Sequence, residues 1–131
     1  MSITVTWDSP DKIAVRLDFP AEWTWQDLTE AFNEDDAYFD SVEYTVHMIL
    51  NMKDIQMVPP NPMKHLRGIA QMITPQLGLV IMVGNSIWAQ TVMEIFFKAY
   101  GQRASGLTGV ESVEDLEQAR QIIARNFPAI D

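Results

Sequence analysis

His47 and His65 are the only imidazoles in the chain, and cysteine is absent. Disulfides, thiolate catalysis and thiolate metal sites are thereby excluded, and a histidine-based zinc site lacks ligands. No Ser-His-Asp set, phosphate-binding glycine loop or paired general acid and base stands out. Seven acids, Asp27, Glu30, Glu34, Asp35, Asp36, Asp40 and Glu43, cluster with no base among them. Oxygen ligands of this kind suit Ca²⁺ or Mg²⁺, but the calcium-loop spacing and its turn glycine are missing. A solvated helix face is the simpler account. The sequence therefore offers no catalytic residue, no metal ligand and no cofactor site, and the expectation is a protein that is not an enzyme.

Two other constellations could bind something. Asn61, Gly84, Asn85 and Ser86 precede predicted helices, whose free amides would suit an anion or carboxylate. Simple helix capping explains the same residues. Met57, Val58, Met63, Lys64 and Arg67 lie in and after a proline-rich connection, "NMKDIQMVPPNPMKHL", from Asn51 to Leu66. Methionine adapts readily at binding surfaces, and Lys64, His65 and Arg67 form a small basic patch in an acidic chain. Core packing of the methionines is the competing account. His47 falls in a buried-looking strand, where a hydrogen-bonded core histidine is expected.

The elements that must position these residues follow from periodicity. "ITVTW" and "KIAVRLDF" alternate around the turn cluster "DSPD", which predicts a β-hairpin over Ile3–Trp7 and Lys12–Phe19. Ile13, Val15, Leu17 and Phe19 should share one face, and Lys12, Ala14, Arg16 and Asp18 the more solvated other. Thr24 and Asp27 make a capping box, with Trp23 and Leu28 as its hydrophobic staple. The first helix should run from Thr24 to about Tyr38, with Leu28, Ala31, Phe32 and Phe39 inward. "EYTVHMILNM" reads as a central strand. Asn61-Pro62 opens a second helix with Met63, Leu66, Ile69, Ala70, Ile73 and Leu77 at helical spacing, closed by Pro75 and Gly78. "LGLVIMVG" is the most buried strand. A third helix carries the stripe Trp88, Val92, Ile95, Phe96 and Ala99 and ends at Gly101. "ASGLTGV" predicts a short strand. Ser112 with Asp115 predicts a capping box for a fourth helix, with Leu116, Ala119, Ile122 and Ile123 inward.

The order β-β-α-β-α-β-α-β-α implies one α/β domain over residues 1–131, a mixed sheet with packed helices. Net charge is -9, with -8 of it in residues 1–66. Nucleic acid and anionic membranes would both repel such a chain. The N-terminus does not resemble a signal peptide, and no apolar run is long enough to span a bilayer. A soluble, cytoplasmic protein is expected.

The order also resembles the SpoIIAA-like fold shared by STAS domains and anti-sigma-factor antagonists. "GVESVEDLEQARQII", Gly109–Ile123, and "VGNSIWAQTVMEIFFKAYG", Val83–Gly101, look like the last strand–helix units of small bacterial SpoIIAA-like proteins. In the antagonist branch, an Asp-Ser-Ser/Thr-Gly type motif before the second helix accepts phosphate. Here Asp54 stands at the matching place, but no serine or threonine follows it up to Leu66. The resemblance thus implies an interaction module without that phospho-switch. It would bind a protein partner or itself as a homodimer. Carriage of a small apolar ligand is the alternative that it implies.

Overall fold

The structure is a computed structural model and describes residues 3–62, 64, 65, 68, 76–100 and 109–126. The side chains of 96–100, 109, 110 and 126 fall outside that description. The strands are β1 (Thr4–Trp7), β2 (Ala14–Asp18), β3 (Val46–Asn51), β4 (Leu77–Val83) and β5 (Gly109–Val113). The helices are α1 (Trp25–Asp40), α2 (Ile87–Tyr100) and α3 (Leu116–Asn126). The sheet runs β1-β2-β3-β4-β5 in chain order. β1 is antiparallel to β2, and every later pair is parallel. This is an α/β fold with a mixed sheet, as the alternation of strands and helices implied.

The apolar run of β4 and the nearly apolar β3 place these strands at the centre, and every residue of both is buried. The sheet therefore has two cores. On the first face Val15, Leu17, Met48, Leu50, Val80 and Met82 meet α1 and α2. On the second face Ala14, Ile49, Leu79, Ile81 and Val83 meet Ala119 and Ile123 of α3. Thr24 caps α1 as expected. Its hydroxyl accepts from the Asp27 amide at 3.0 Å, and the Asp27 carboxylate accepts from the Thr24 amide at 2.9 Å.

His47 is buried beside a register irregularity. Val46 pairs with Leu77 and Met48 with Val80, so His47 faces two residues, Gly78 and Leu79. The Leu79 amide donates to His47 Nδ1 at 2.9 Å, which gives a buried donor an acceptor at the bulge. The expected hydrogen-bonded core histidine is present. A Cβ on Gly78 would lie 2.7 Å from that same Nδ1, so the close approach requires glycine.

Several expectations shift. Asp35, grouped with the solvated acids, is only 2% exposed. The spacing Leu28, Phe32, Asp35, Phe39 puts it on the core stripe of α1. Ile13 joins the second core instead of the first, because Lys12 has φ 59° and turns the chain just before β2. Among the described side chains of α2 the buried positions are Ala89 and Val92, and Trp88 is 43% exposed. The last strand is Gly109–Val113, later than "ASGLTGV" suggested; 104–108 lie outside the described residues. Ser112 is therefore in the strand, and Asp115 caps α3 by accepting from the Gln118 amide at 2.9 Å. Gln118 Oε1 in turn accepts from the Glu114 amide. Leu77 and Gly78, read both as the close of the second predicted helix and as the start of "LGLVIMVG", open β4. Of that helix Pro62, Lys64, His65 and Gly68 are helical, while Met63, Leu66, Arg67 and 69–75 lie outside the described residues.

Candidate functional site

The parallel strands β2, β3 and β4 end side by side at Asp18, Asn51 and Val83. Backbone bonds tie this edge together: the Phe19 amide to the Asn51 carbonyl at 3.0 Å, Met52 to Val83 at 2.9 Å, and Gly84 to Val113 at 3.0 Å. Gly84 has φ 143°, and a Cβ there would meet the Ala89 Cβ at 3.0 Å and the Met52 carbonyl carbon at 3.3 Å. Only glycine lets the chain turn so tightly from β4 into α2. Asn85 is exposed, and the Ser86 hydroxyl accepts from the Ala89 amide at 3.1 Å. Ser86 is thus the N-cap of α2, and Gly84–Ser86 are explained by the turn and the cap. Asn51 Nδ2 donates to Asp18 Oδ1 at 2.7 Å, which turns Asn51 toward the second sheet face. Asp54 is exposed in the turn after β3.

The connection after β3 is held by aromatic residues. Its Gln56 amide donates to the Ala21 carbonyl at 2.9 Å. Trp23 Nε1 donates to the Met57 carbonyl at 3.2 Å, and Trp25 Nε1 to the Pro60 carbonyl at 2.7 Å. Phe19, Trp23 and Trp25 meet edge to face at 5.0 and 4.9 Å, and the Trp25 ring stacks on His65 at 5.5 Å with 9° between planes. Val58 packs on the first core, Met57 is half-buried and Pro59 is buried. Asn61 is exposed at φ 60°, and its carbonyl accepts from the His65 amide at 3.4 Å. Lys64 and His65 are exposed. Of the five residues proposed to touch a partner, Met57, Val58 and Lys64 lie along this connection, while Met63 and Arg67 lie outside the described residues. Sequence reasoning missed the role of "WTW", Trp23–Trp25. Its signal was two indole N–H groups flanking a helix cap, opposite a proline-rich stretch whose carbonyls lack partners in regular structure.

The most exposed large apolar side chains among the described residues stand at the same edge. Ile87 is 71% and Trp88 43% exposed, in the first turn of α2 directly after Ser86. They carry no charged neighbour closer in sequence than Glu94.

A second polar cluster lies on the other sheet face and was not visible in the sequence. Asp8, only 5% exposed at its side chain, accepts from Arg16 at 2.9 Å and from two nitrogens of Arg120, each at 3.0 Å. Arg16 also pairs with Asp18 at 3.0 Å. Burial alone would raise the Asp8 carboxyl, but the bonds from Arg120 and Arg16 together outweigh it and hold the group below its ordinary range. Every Asp8 oxygen is engaged, so this cluster fastens α3 to the β1–β2 turn instead of presenting a reactive group.

Among the described residues, no group of three or more His, Asp or Glu side chains is placed to hold a metal ion. No helix among them is long and apolar enough to cross a membrane. Compared with protein-family models, with curated proteins and with solved structures, the chain matches none.

Proposed function

We propose that this chain is a non-enzymatic, SpoIIAA-like (STAS-like) interaction module that docks a protein partner at the C-terminal edge of its parallel strands. The observation that carries this reading is the exposed pair Ile87 and Trp88 on the first turn of a capped helix. Adjacent apolar and aromatic side chains on a rigid element form the kind of anchor that dominates binding energy at interfaces. The chain-order sheet with an antiparallel opening strand supports the fold assignment. Met57, Val58 and Lys64 extend the contact along the neighbouring connection, where the two tryptophans hold the Met57 and Pro60 carbonyls; Met63 and Arg67, outside the described residues, are included on the sequence alone. No hydroxyl lies between Asp54 and Leu66, so partner binding is not gated by phosphate there.

A partner with an apolar centre and a basic rim fits best. Two copies of a chain with charge -9 repel at low ionic strength, which disfavours a homodimer. Carriage of a small apolar ligand would need a cavity under the second predicted helix, most of which lies outside the described residues. Native mass spectrometry of the wild type and of an Ile87→Glu/Trp88→Ala variant, each taken from its host extract under gentle conditions, tests the docking site. A complex that the wild type forms and the variant loses supports the site. A complex retained by the variant, or a wild type that is only ever a bare monomer, overturns it.

A further inference from the structure

The second sheet face has one helix over it among the described residues, and that helix is held unusually. α3 rests on β3, β4 and β5, yet among its described side chains only Ala119 and Ile123 are fully buried, with Leu116 and Ile122 half-buried against the same core. α1, by comparison, buries Trp25, Leu28, Ala31, Phe32 and Phe39 on the first face. With 11 residues, α3 is shorter than the ~12–15 at which isolated helices become marginal in water, so its helicity depends on being docked. Its first turn is joined to β5 through Glu114 and Asp115. Its middle is tied by Arg120 to Asp8, a residue 112 positions earlier in the chain. Arg120 is 43% exposed at its side chain, so solvent ions and competing anions reach that tie directly.

We propose that α3 is a detachable cover, latched by the Asp8–Arg120 ion pair, whose release bares the apolar surface of Ala14, Ile49, Leu79 and Ile81. The hinge is Glu114–Asp115, where β5 ends and the cap of α3 begins. Release converts α3 from helix to open chain, because the helix cannot persist alone. The first core, with α1 and α2, shares no apolar cluster with α3 and stays folded. The ionic strength of the surroundings sets the balance.

Hydrogen exchange of the full chain, followed by mass spectrometry, tests this on the wild type and on Arg120→Gln, which leaves the Asp8–Arg16 bond in place. Amides of 116–126 should exchange about tenfold faster or more in Arg120→Gln, while those of α1 and β2 keep their protection. The wild type should move the same way when chloride is raised to about 1 M, where screening acts within ~3 Å. A dye that fluoresces on apolar surface should bind in step. Exchange in 116–126 that is unchanged by both perturbations overturns the latch. So does a rise shared equally by every element, since that marks global unfolding.

Discussion

Asp35 offers the sharpest test of how this fold is balanced. It lies on the core stripe of α1, 2% exposed, and its Oδ2 has no hydrogen-bond partner. Burial, with smaller pushes from the negative charges of Asp36 and Glu34, raises its pKa to about 8. An unfolded aspartate titrates near ~3.9. Between those values the native state holds a proton that the unfolded state has released, so stability falls as pH rises through this window. Each unit costs about 1.4 kcal/mol, so raising the pH from about 5 to about 7 should remove roughly 3 kcal/mol. That is a large share of the ~5–15 kcal/mol typical of a domain. Asp35→Asn keeps the shape and cannot ionise, so its stability should lack this slope; Asp35→Leu should also be more stable than the wild type at neutral pH. Urea unfolding followed by tryptophan fluorescence, at intervals from about pH 5 to about pH 8, reads the difference directly. Parallel pH profiles for the wild type and Asp35→Asn would refute the argument. They would mean that the carboxyl finds water or a partner when ionised.

Two further outcomes follow from the same geometry. Trp25→Phe removes the 2.7 Å bond to the Pro60 carbonyl but keeps a ring against His65. It should cost about 1 kcal/mol in urea unfolding and loosen the 56–60 connection in hydrogen exchange; an unchanged midpoint would mean that the bond fastens nothing. His47 must be neutral for Nδ1 to accept from Leu79, and burial lowers its pKa. The native state then binds fewer protons than the unfolded chain just below about pH 6.5, so stability should fall with acid there. His47→Asn, whose Oδ1 can take the place of Nδ1, should remove that acid limb. An Asp35→Asn protein with His47 intact that is equally stable at about pH 5 and about pH 6.5 would contradict it.

Much of the fold was legible because it obeys local rules. The alternation in "AVRLD" and the nearly continuous apolar character of β3 and β4 place these strands in a sheet. The Thr24–Asp27 box states where α1 begins, and the structure forms both of its bonds. The errors have equally local causes. Gly109–Val113 carries Glu111 and Ser112, both exposed, so the end of the fifth strand has a weak apolar signal. Its misplacement moved the capping box of α3 by three residues. Trp88 was read as the first residue of an apolar stripe because it stands four positions before Val92, but the structure gives that inward place to Ala89, three before Val92. The first turn of α2 instead carries Ile87 and Trp88 out past the sheet edge. The tie between Asp8 and Arg120 spans 112 positions and leaves no local pattern at all.

The buried polar residues divide in a way that sequence patterns do not report. His47 and Asn51, like Asp35, occupy positions where the period of their element demands burial. His47 and Asn51 each use a polar group to hold the sheet. Nδ1 of His47 accepts a strand amide at the bulge, and the Asn51 amide reaches Asp18 at the open end of the sheet. Both bonds therefore offset the desolvation of the groups that make them. Asp35 sits among apolar side chains with an oxygen unmatched, so its burial is tolerable only while it carries a proton. The periodicity of α1 fixes where Asp35 points, and that placement contributes more to its protonation than the charges of its neighbours Asp36 and Glu34. A hydrophobic residue at this position would satisfy the same helix spacing without a pH-dependent cost.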